Sequence, residues 1–258
     1  APCGSSPTPS TSTTTPPNRP AVPARTPWAR TELDALVRSL DAAGPHAPTL
    51  CEGWTNADLL AHLVKREHAP WQILTGEAEH RAVGHDARTA EGYDALLDVL
   101  SAGPPAWSPM SWAWETFDHL EYLVHHEDVR RAGGDWAPRA LLPAQDKEVW
   151  RLLVQRARLL YRGAPVGIVL QVDGVSSSDA VVAGPRHQAR PAPESADGRA
   201  ALEVTISGRP VELAMHAHGR TAHARVTLGG PDEALASCWT SRPRARLTEA
   251  DVGDDLHG

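Results

Sequence analysis

Glu121 and His125 stand four residues apart in the run Glu121-Tyr-Leu-Val-His125-His-Glu-Asp128. On a helix that spacing stacks a carboxylate and an imidazole on one face, one turn apart. A single helix can thereby offer two ligands to one divalent cation. Far upstream, His62 lies on the edge of an apolar stripe made by Leu59, Leu60, Leu63 and Val64, so a second helix can supply a third ligand. Three protein ligands of His and Glu type leave a tetrahedral ion one position short, the arrangement of a working site rather than a structural one. Spacing alone leaves an ion pair equally open, since an i,i+4 pair on a helix surface is worth only a few tenths of a kcal/mol and needs no metal. The setting favours a ligand role: Phe117 and Val124 share the face, so at least one member of the pair should be buried, and a buried charge must be paired or metal-bound.

Neighbouring residues have weaker claims. His126 points about 100° away from His125 and is expected in a second shell or in solvent. Asp128, nearly a turn beyond His125, either orients an imidazole, as outer carboxylates do, or pairs with Arg130 or Arg131. Cys51 either approaches the site or is a small buried apolar residue. His216, His218 and His223 form a loose cluster with solvated or structural roles. No Gly-rich phosphate loop, nucleophile elbow or zinc-finger spacing is present.

The elements that must position these groups are mostly helices. Leu33, Leu36, Val37 and Leu40 give a helix over 27–43, ended by Gly44-Pro45. A second opens at Trp54-Thr55-Asn56-Ala57-Asp58-Leu59, with Thr55 as N-cap, Asp58 in a variant of the capping box, and Trp54 with Leu59 as a staple. Pro70 breaks or kinks the chain beyond it. Tyr93, Leu96, Leu97 and Leu100 mark a third helix over 90–102, and the ligand-bearing helix runs over 112–132 with Trp114, Phe117, Glu121, Val124, His125 and Asp128 inward. Together they predict an antiparallel bundle, a common home for metal sites built from facing helices. A long helix over 144–162 comes next. After Gly163 the pattern shifts: strands over 166–172, 180–183, 202–207 and 222–228, and helices over 210–218 and 231–238, predict a small α+β unit. The expected organisation is a Pro/Ser/Thr-rich disordered tail over 1–26, a metal-binding helical bundle over 27–163, the α+β domain over 164–238, and a polar tail over 239–258.

Composition narrows the function. A net charge of −7 argues against a nucleic-acid surface, and no apolar run reaches membrane-spanning length. Three scattered cysteines, Cys3, Cys51 and Cys238, do not make a disulfide framework, so a reducing cytoplasm is expected. No signal segment is visible, and a lipid on Cys3 is disfavoured.

Thr49-Leu-Cys-Glu-Gly-Trp-Thr55, Asp58-Leu-Leu-Ala-His62-Leu and Glu121-Tyr-Leu-Val-His125-His-Glu-Asp-Val-Arg-Arg131 together closely resemble the bacterial metal-binding protein family related to mycothiol-dependent maleylpyruvate isomerase. The resemblance runs from about Trp28 to Cys238. It implies a DinB-like four-helix bundle followed by a sterol-carrier-like α+β domain. It also implies a divalent metal, usually zinc, on His62, Glu121 and His125, and mycothiol as the thiol co-substrate. The family's arginine in a Leu-x-x-Gly-Arg stretch is matched by Arg220 in Leu213-Ala-Met-His-Ala-His-Gly-Arg220, a run with extra residues and histidines; there it would hold an anionic substrate group. The function implied is a thiol-dependent isomerase or transferase acting on a small electrophilic substrate, as a monomer or homodimer. Hydrolysis by a metal-bound hydroxide is a second chemistry for the same site. A non-catalytic metal-binding module for a hydrophobic ligand or a protein partner is the reading from another class. A fourth protein ligand such as His126 or Asp128 would favour that reading.

Overall fold

The computed structural model describes residues 28–68, 87–104, 110–174, 181–182 and 203–240. The expectations for the tail over 1–26, for Pro70, for the loose connection after 174 and for the chain beyond 240 lie outside these residues, as do the side chains of Trp114, Phe117 and Cys238.

Four helices build the first half: α1 (Trp28–Ala43), α2 (Asn56–His68), α3 (Ala90–Ala102) and α4 (Met110–Arg131). The apolar stripes read from the sequence meet in one core, where Leu33, Leu36 and Leu40 of α1, Leu59, Leu60 and Leu63 of α2, and Leu100 of α3 are fully buried with Tyr122 of α4. Asp58 starts α2 by accepting both the Thr55 N–H (3.0 Å) and its hydroxyl (2.7 Å); the expected capping residues pair with each other. At α3, the Thr89 hydroxyl accepts from the Gly92 N–H (3.1 Å), and Gly103 ends the helix at φ 75, open to glycine at little cost. Polar cross-links fix the helices against one another: the Tyr93 hydroxyl donates to the Leu40 carbonyl (2.8 Å), and the Tyr122 hydroxyl to the Glu67 carboxylate.

The second half is α5 (Pro143–Leu160), β1 (Gly167–Val172), β2 (Val181–Val182), β3 (Glu203–Gly208), α6 (Pro210–Ala217), a 3₁₀ turn (Thr221–His223), β4 (Val226–Gly229) and α7 (Asp232–Thr240). Its sheet has the order β2-β1-β3-β4, with β1 and β3 parallel and both outer pairs antiparallel. Leu153, Ala157 and Tyr161 of α5 pack with Ile168, Leu170, Val204, Ile206 and Leu213. A third cluster joins the halves, placing Leu120 and Leu123 of α4 against Val149 of α5 and Val211 and Ala214 of α6. The strand expected over 222–228 is instead the 3₁₀ turn followed by β4. Two buried side chains hold the chain off the sheet there: Arg131 donates to the His223 carbonyl (2.5 Å), and Glu212 accepts the Arg225 N–H (2.8 Å). Among the described residues no helix is long and apolar enough to cross a membrane.

Between α1, α4 and α5 lies a buried polar cluster centred on Glu32, which is 1% exposed. His126 Nδ1 donates to it (2.6 Å), Arg139 donates twice (2.6 and 3.1 Å) and Gln145 once (3.2 Å). His126 therefore faces neither solvent nor the candidate metal ligands. It is locked between Glu32 and the Ser39 hydroxyl (2.9 Å), because α1 covers that face of α4.

Burial alone would raise the Glu32 pKa; the His126 hydrogen bond and the Arg139 guanidinium outweigh it and pull it from 4.5 to about 2. A depressed carboxylate contributes stability that is complete above its unfolded pKa and lost as pH falls through the folded one. Glu32 should thus contribute about 3 kcal/mol at neutral pH, lost between about pH 4.5 and 2. Urea unfolding of wild type beside Glu32→Gln at pH 7 and pH 3 should show the difference between them shrinking at the lower pH.

Candidate metal centre

The site forms where α4, α2, the loop before α2 and the segment after α6 converge. The loop is stiffened by its own backbone. Thr49 N–H donates to the Trp54 carbonyl (3.2 Å), Trp54 N–H to the Cys51 carbonyl (3.0 Å), and Gly53 takes φ 77 to complete the turn. Its anchor is α4: the Leu50 N–H donates to the backbone carbonyl of Asp128 (3.2 Å). Cys51 and Trp54 are thereby presented on either side of the turn, Cys51 against Asp128 and Trp54 against His62, with ring centres 5.2 Å apart.

On α4 the expected pair is together. His125 Nε2 and Glu121 Oε2 are 3.5 Å apart, with His125 buried and the Glu121 side chain 32% exposed. His62 presents its ring to His125 edge-on, centres 5.8 Å apart. Two donor atoms about 2.0–2.1 Å from one tetrahedral zinc lie roughly 3.4 Å apart, and two imidazoles bound to it have centres about 5 Å apart. The Glu121–His125 separation is thus long for a hydrogen bond and suited to a shared ion, while His62 stands slightly outside that spacing.

The other face of the His125 ring is fully engaged. Nδ1–H donates to Asp128 Oδ2 (3.0 Å). The same oxygen accepts from Cys51 Sγ (3.3 Å) and from Arg220 Nη2 (2.6 Å), and Oδ1 accepts from Arg220 Nε (2.8 Å). Arg220 Nη2 also lies 3.2 Å from Cys51 Sγ, and Nη1 donates to the His218 carbonyl (2.6 Å). Asp128 thus orients the imidazole, one of its two expected roles, and its charge partner is Arg220. Arg130 and Arg131 go to Glu127 instead (2.9 and 2.6 Å). Cys51 joins a polar network, so it is not a plain apolar filler.

Among the described residues, the group whose ligand atoms all lie within 4.8 Å of one another is Cys51, His125 and Asp128; His62, Glu121 and His125 do not form such a group. The Arg220 guanidinium already places a positive group against both Sγ and Oδ2 there, so a cation would meet like charge. On the Nε2 side the Arg66 charge acts on Glu121. Burial disfavours a charged His125, yet Asp128, Cys51 and Glu121 against its ring raise its pKa well above the usual histidine value. Burial would raise Glu121, but His125, Arg66 and His218 hold its carboxyl well below the usual range. Asp128 is held low in the same way by His125 and Arg220 against its burial. Glu121 and Asp128 thus favour positive charge on the His125 ring, and one carboxylate with two imidazoles is a donor set of the kind zinc takes.

The histidines of the second half separate into different roles. His216 Nδ1 meets the Tyr161 hydroxyl (2.9 Å) beside the sheet core, and burial pushes its pKa down to about 4. His218 Nδ1 lies 2.8 Å from the Ala214 carbonyl, and burial pushes its pKa down against the pull of the Glu121 carboxylate.

Residues 26–106 match the family model described as the mycothiol maleylpyruvate isomerase N-terminal domain, a span that includes Cys51 and His62 and ends before Glu121. No curated protein matches the chain at a significant level. Among solved structures, two crystal structures of the mycothiol-dependent maleylpyruvate isomerase, one of them a point mutant, are similar at 20% and 19% identity, with TM-scores of 0.47 and 0.48. Each alignment covers 78% of this chain and 90% of the other. Residues 26–106 are thus similar to the N-terminal domain of mycothiol maleylpyruvate isomerase.

Proposed function

We propose that His62, Glu121 and His125 hold a divalent cation, zinc in the first instance, and that the site serves a thiol-dependent isomerase or transferase using mycothiol. On this reading the helical half is the DinB-like bundle of that family and the second half its sterol-carrier-like α+β partner. The observation that carries the reading is the 3.5 Å separation of His125 Nε2 from Glu121 Oε2, with Nδ1 of the same ring committed to Asp128. Metal-binding imidazoles characteristically donate their second N–H in this way.

A cation bound there supplies the positive charge that stabilises a thiolate at neutral pH. The protein's own groups do the rest. Asp128 keeps the proton of His125 on Nδ1 and so directs Nε2 toward Glu121. Arg220 fixes both oxygens of Asp128 and brings the segment after α6 onto the site. Four of its hydrogen bonds already go to protein atoms. We assign it first to positioning Asp128, with an anionic substrate group meeting its remaining donor. Trp54 stands beside His62, ring centres 5.2 Å apart.

Metal analysis of purified wild type beside His62→Ala, Glu121→Ala and His125→Ala tests the site. One equivalent of zinc is expected in wild type and none in the variants, with helical content unchanged by circular dichroism; full metal in a variant removes that residue from the set. Zinc-loaded wild type is further expected to bind mycothiol in titration calorimetry, and loaded protein that neither binds nor consumes it with any electrophile contradicts the thiol chemistry. Removing one partner of a buried pair costs about 3–5 kcal/mol. Asp128→Asn and Arg220→Met should each destabilise the protein to urea by that order, and the double variant by clearly less than their sum.

A further inference from the structure

The side of the site that opens outward is marked by its burial pattern. From Leu59 to Glu67, α2 leaves only His62 and Arg66 partly exposed, and from Leu120 to Asp128, α4 leaves only Glu121 so. His62 and Arg66 are four residues apart and share a face of α2. The two helices run antiparallel here: His62 meets His125 with ring centres 5.8 Å apart, while the Tyr122 hydroxyl donates to Glu67. His62, Arg66 and Glu121 therefore line one opening between α2 and α4.

Trp54 stands at the edge of that opening. It is 37% exposed, and it is the aromatic member of the large hydrophobic side chains left exposed among the described residues, beside Val99, Leu142 and Leu159. Its ring lies against His62 with centres 5.2 Å apart and planes inclined at 56°, and His62 in turn meets His125 edge-on. Three rings thus step inward from solvent, Trp54 exposed, His62 half-buried and His125 buried. The turn beneath the indole is strapped on both sides. The Trp54 carbonyl accepts from the Thr49 N–H (3.2 Å) and hydroxyl (3.0 Å), the Trp54 N–H donates to the Cys51 carbonyl (3.0 Å), and the Asn56 N–H donates to the Ala47 carbonyl (2.9 Å). An exposed aromatic ring on so fixed a backbone has little freedom left to lose when a ligand covers it, which favours binding.

We propose that Trp54 is the platform for the sugar portion of the thiol, and so selects mycothiol over smaller thiols. The inference rests on the metal site and thiol chemistry proposed above and deepens them. A thiol that reaches the ion through its sulfur carries its sugar one cysteinyl unit away, about 3.5 Å along an extended chain, and the indole stands one ring outward of His62. The electrophile reacts at the sulfur itself, so the outer part of the thiol is what extends toward the opening. One face of a sugar ring presents C–H groups while its hydroxyls lie around the rim. A flat indole takes that face out of water and leaves the hydroxyls solvated.

The test loads the full chain with Co²⁺ and follows the thiolate-to-cobalt charge-transfer band during titration with mycothiol and with N-acetylcysteine, which offers the same sulfur without a sugar. Wild type should bind mycothiol the more tightly. Trp54→Ala should weaken mycothiol binding about ten-fold and leave N-acetylcysteine little changed, and Trp54→Phe, which keeps a flat apolar face, should recover most of the preference. Bound cobalt and circular dichroism on the same samples should match wild type. In the zinc-loaded wild-type complex, nuclear Overhauser contacts between the Trp54 indole and the sugar protons should report the same packing without substitution. Equal affinities in wild type, or equal losses for both thiols in Trp54→Ala, overturn the inference and leave the metal site and its thiol chemistry standing. Cobalt lost from both variants assigns Trp54 to holding His62 in place and also overturns it. A loaded wild type that shows the band with neither thiol overturns the thiol chemistry, and a wild type that retains no cobalt overturns the metal site, each taking this inference with it.

Discussion

The arrangement of the whole site depends on one buried carboxylate. Asp128 has no exposed surface, and taking a charge so far from water is tolerable only when every lone pair is used. Its oxygens accept from His125, Cys51 and twice from Arg220, while its backbone carbonyl anchors the loop before α2. Those contacts come from three separate parts of the chain, so the need to neutralise Asp128 is also what assembles the site. The orientation of the His125 ring is a by-product of that assembly.

The run from His125 to Arg131 extends the same logic along α4. Successive residues on a helix point about 100° apart, and here each polar side chain meets a different partner. His125 faces the candidate ligands, His126 meets Glu32 on α1, Glu127 collects Arg130, Arg131 and Arg139, and Arg131 forms a two-pronged pair with Glu212 of α6 at 2.8 Å on each side. This charged stretch is almost entirely buried because α4 is enclosed by α1 on one side and by α5 and α6 on another. Ion pairs of Asp128 with Arg220 and of Arg131 with Glu212 join α4 to the second half, and the apolar contacts of Leu120 and Leu123 with Val211 and Ala214 support the same junction.

Much of this was legible in the sequence. Local signals placed the helices to within two or three residues, since apolar period, caps and Gly-Pro stops are short-range properties. The same holds for the i,i+4 geometry of Glu121 and His125. Pairings across long separations were not legible. Nothing local tells Asp128 to choose Arg220, 92 residues away, over Arg130 or Arg131 in the next turn of its own helix. Nor could His126 be assigned to Glu32, because that contact depends on which face of α4 is covered by α1. The strand over 222–228 is borne out from Val226, where β4 begins, while Arg131 and Glu212 hold the backbone before it in a turn.

Which nitrogen of His125 faces the cation decides between the two sides of the ring, and zinc-edge X-ray absorption of the loaded protein reads that most directly. An ion at Nε2 gives a first shell of nitrogen and oxygen at about 2.0–2.2 Å and no sulfur, the result expected here. A sulfur scatterer at about 2.3 Å would place the ion on Cys51 and the Nδ1 side, displacing Arg220 from Asp128 and contradicting the Nε2 site.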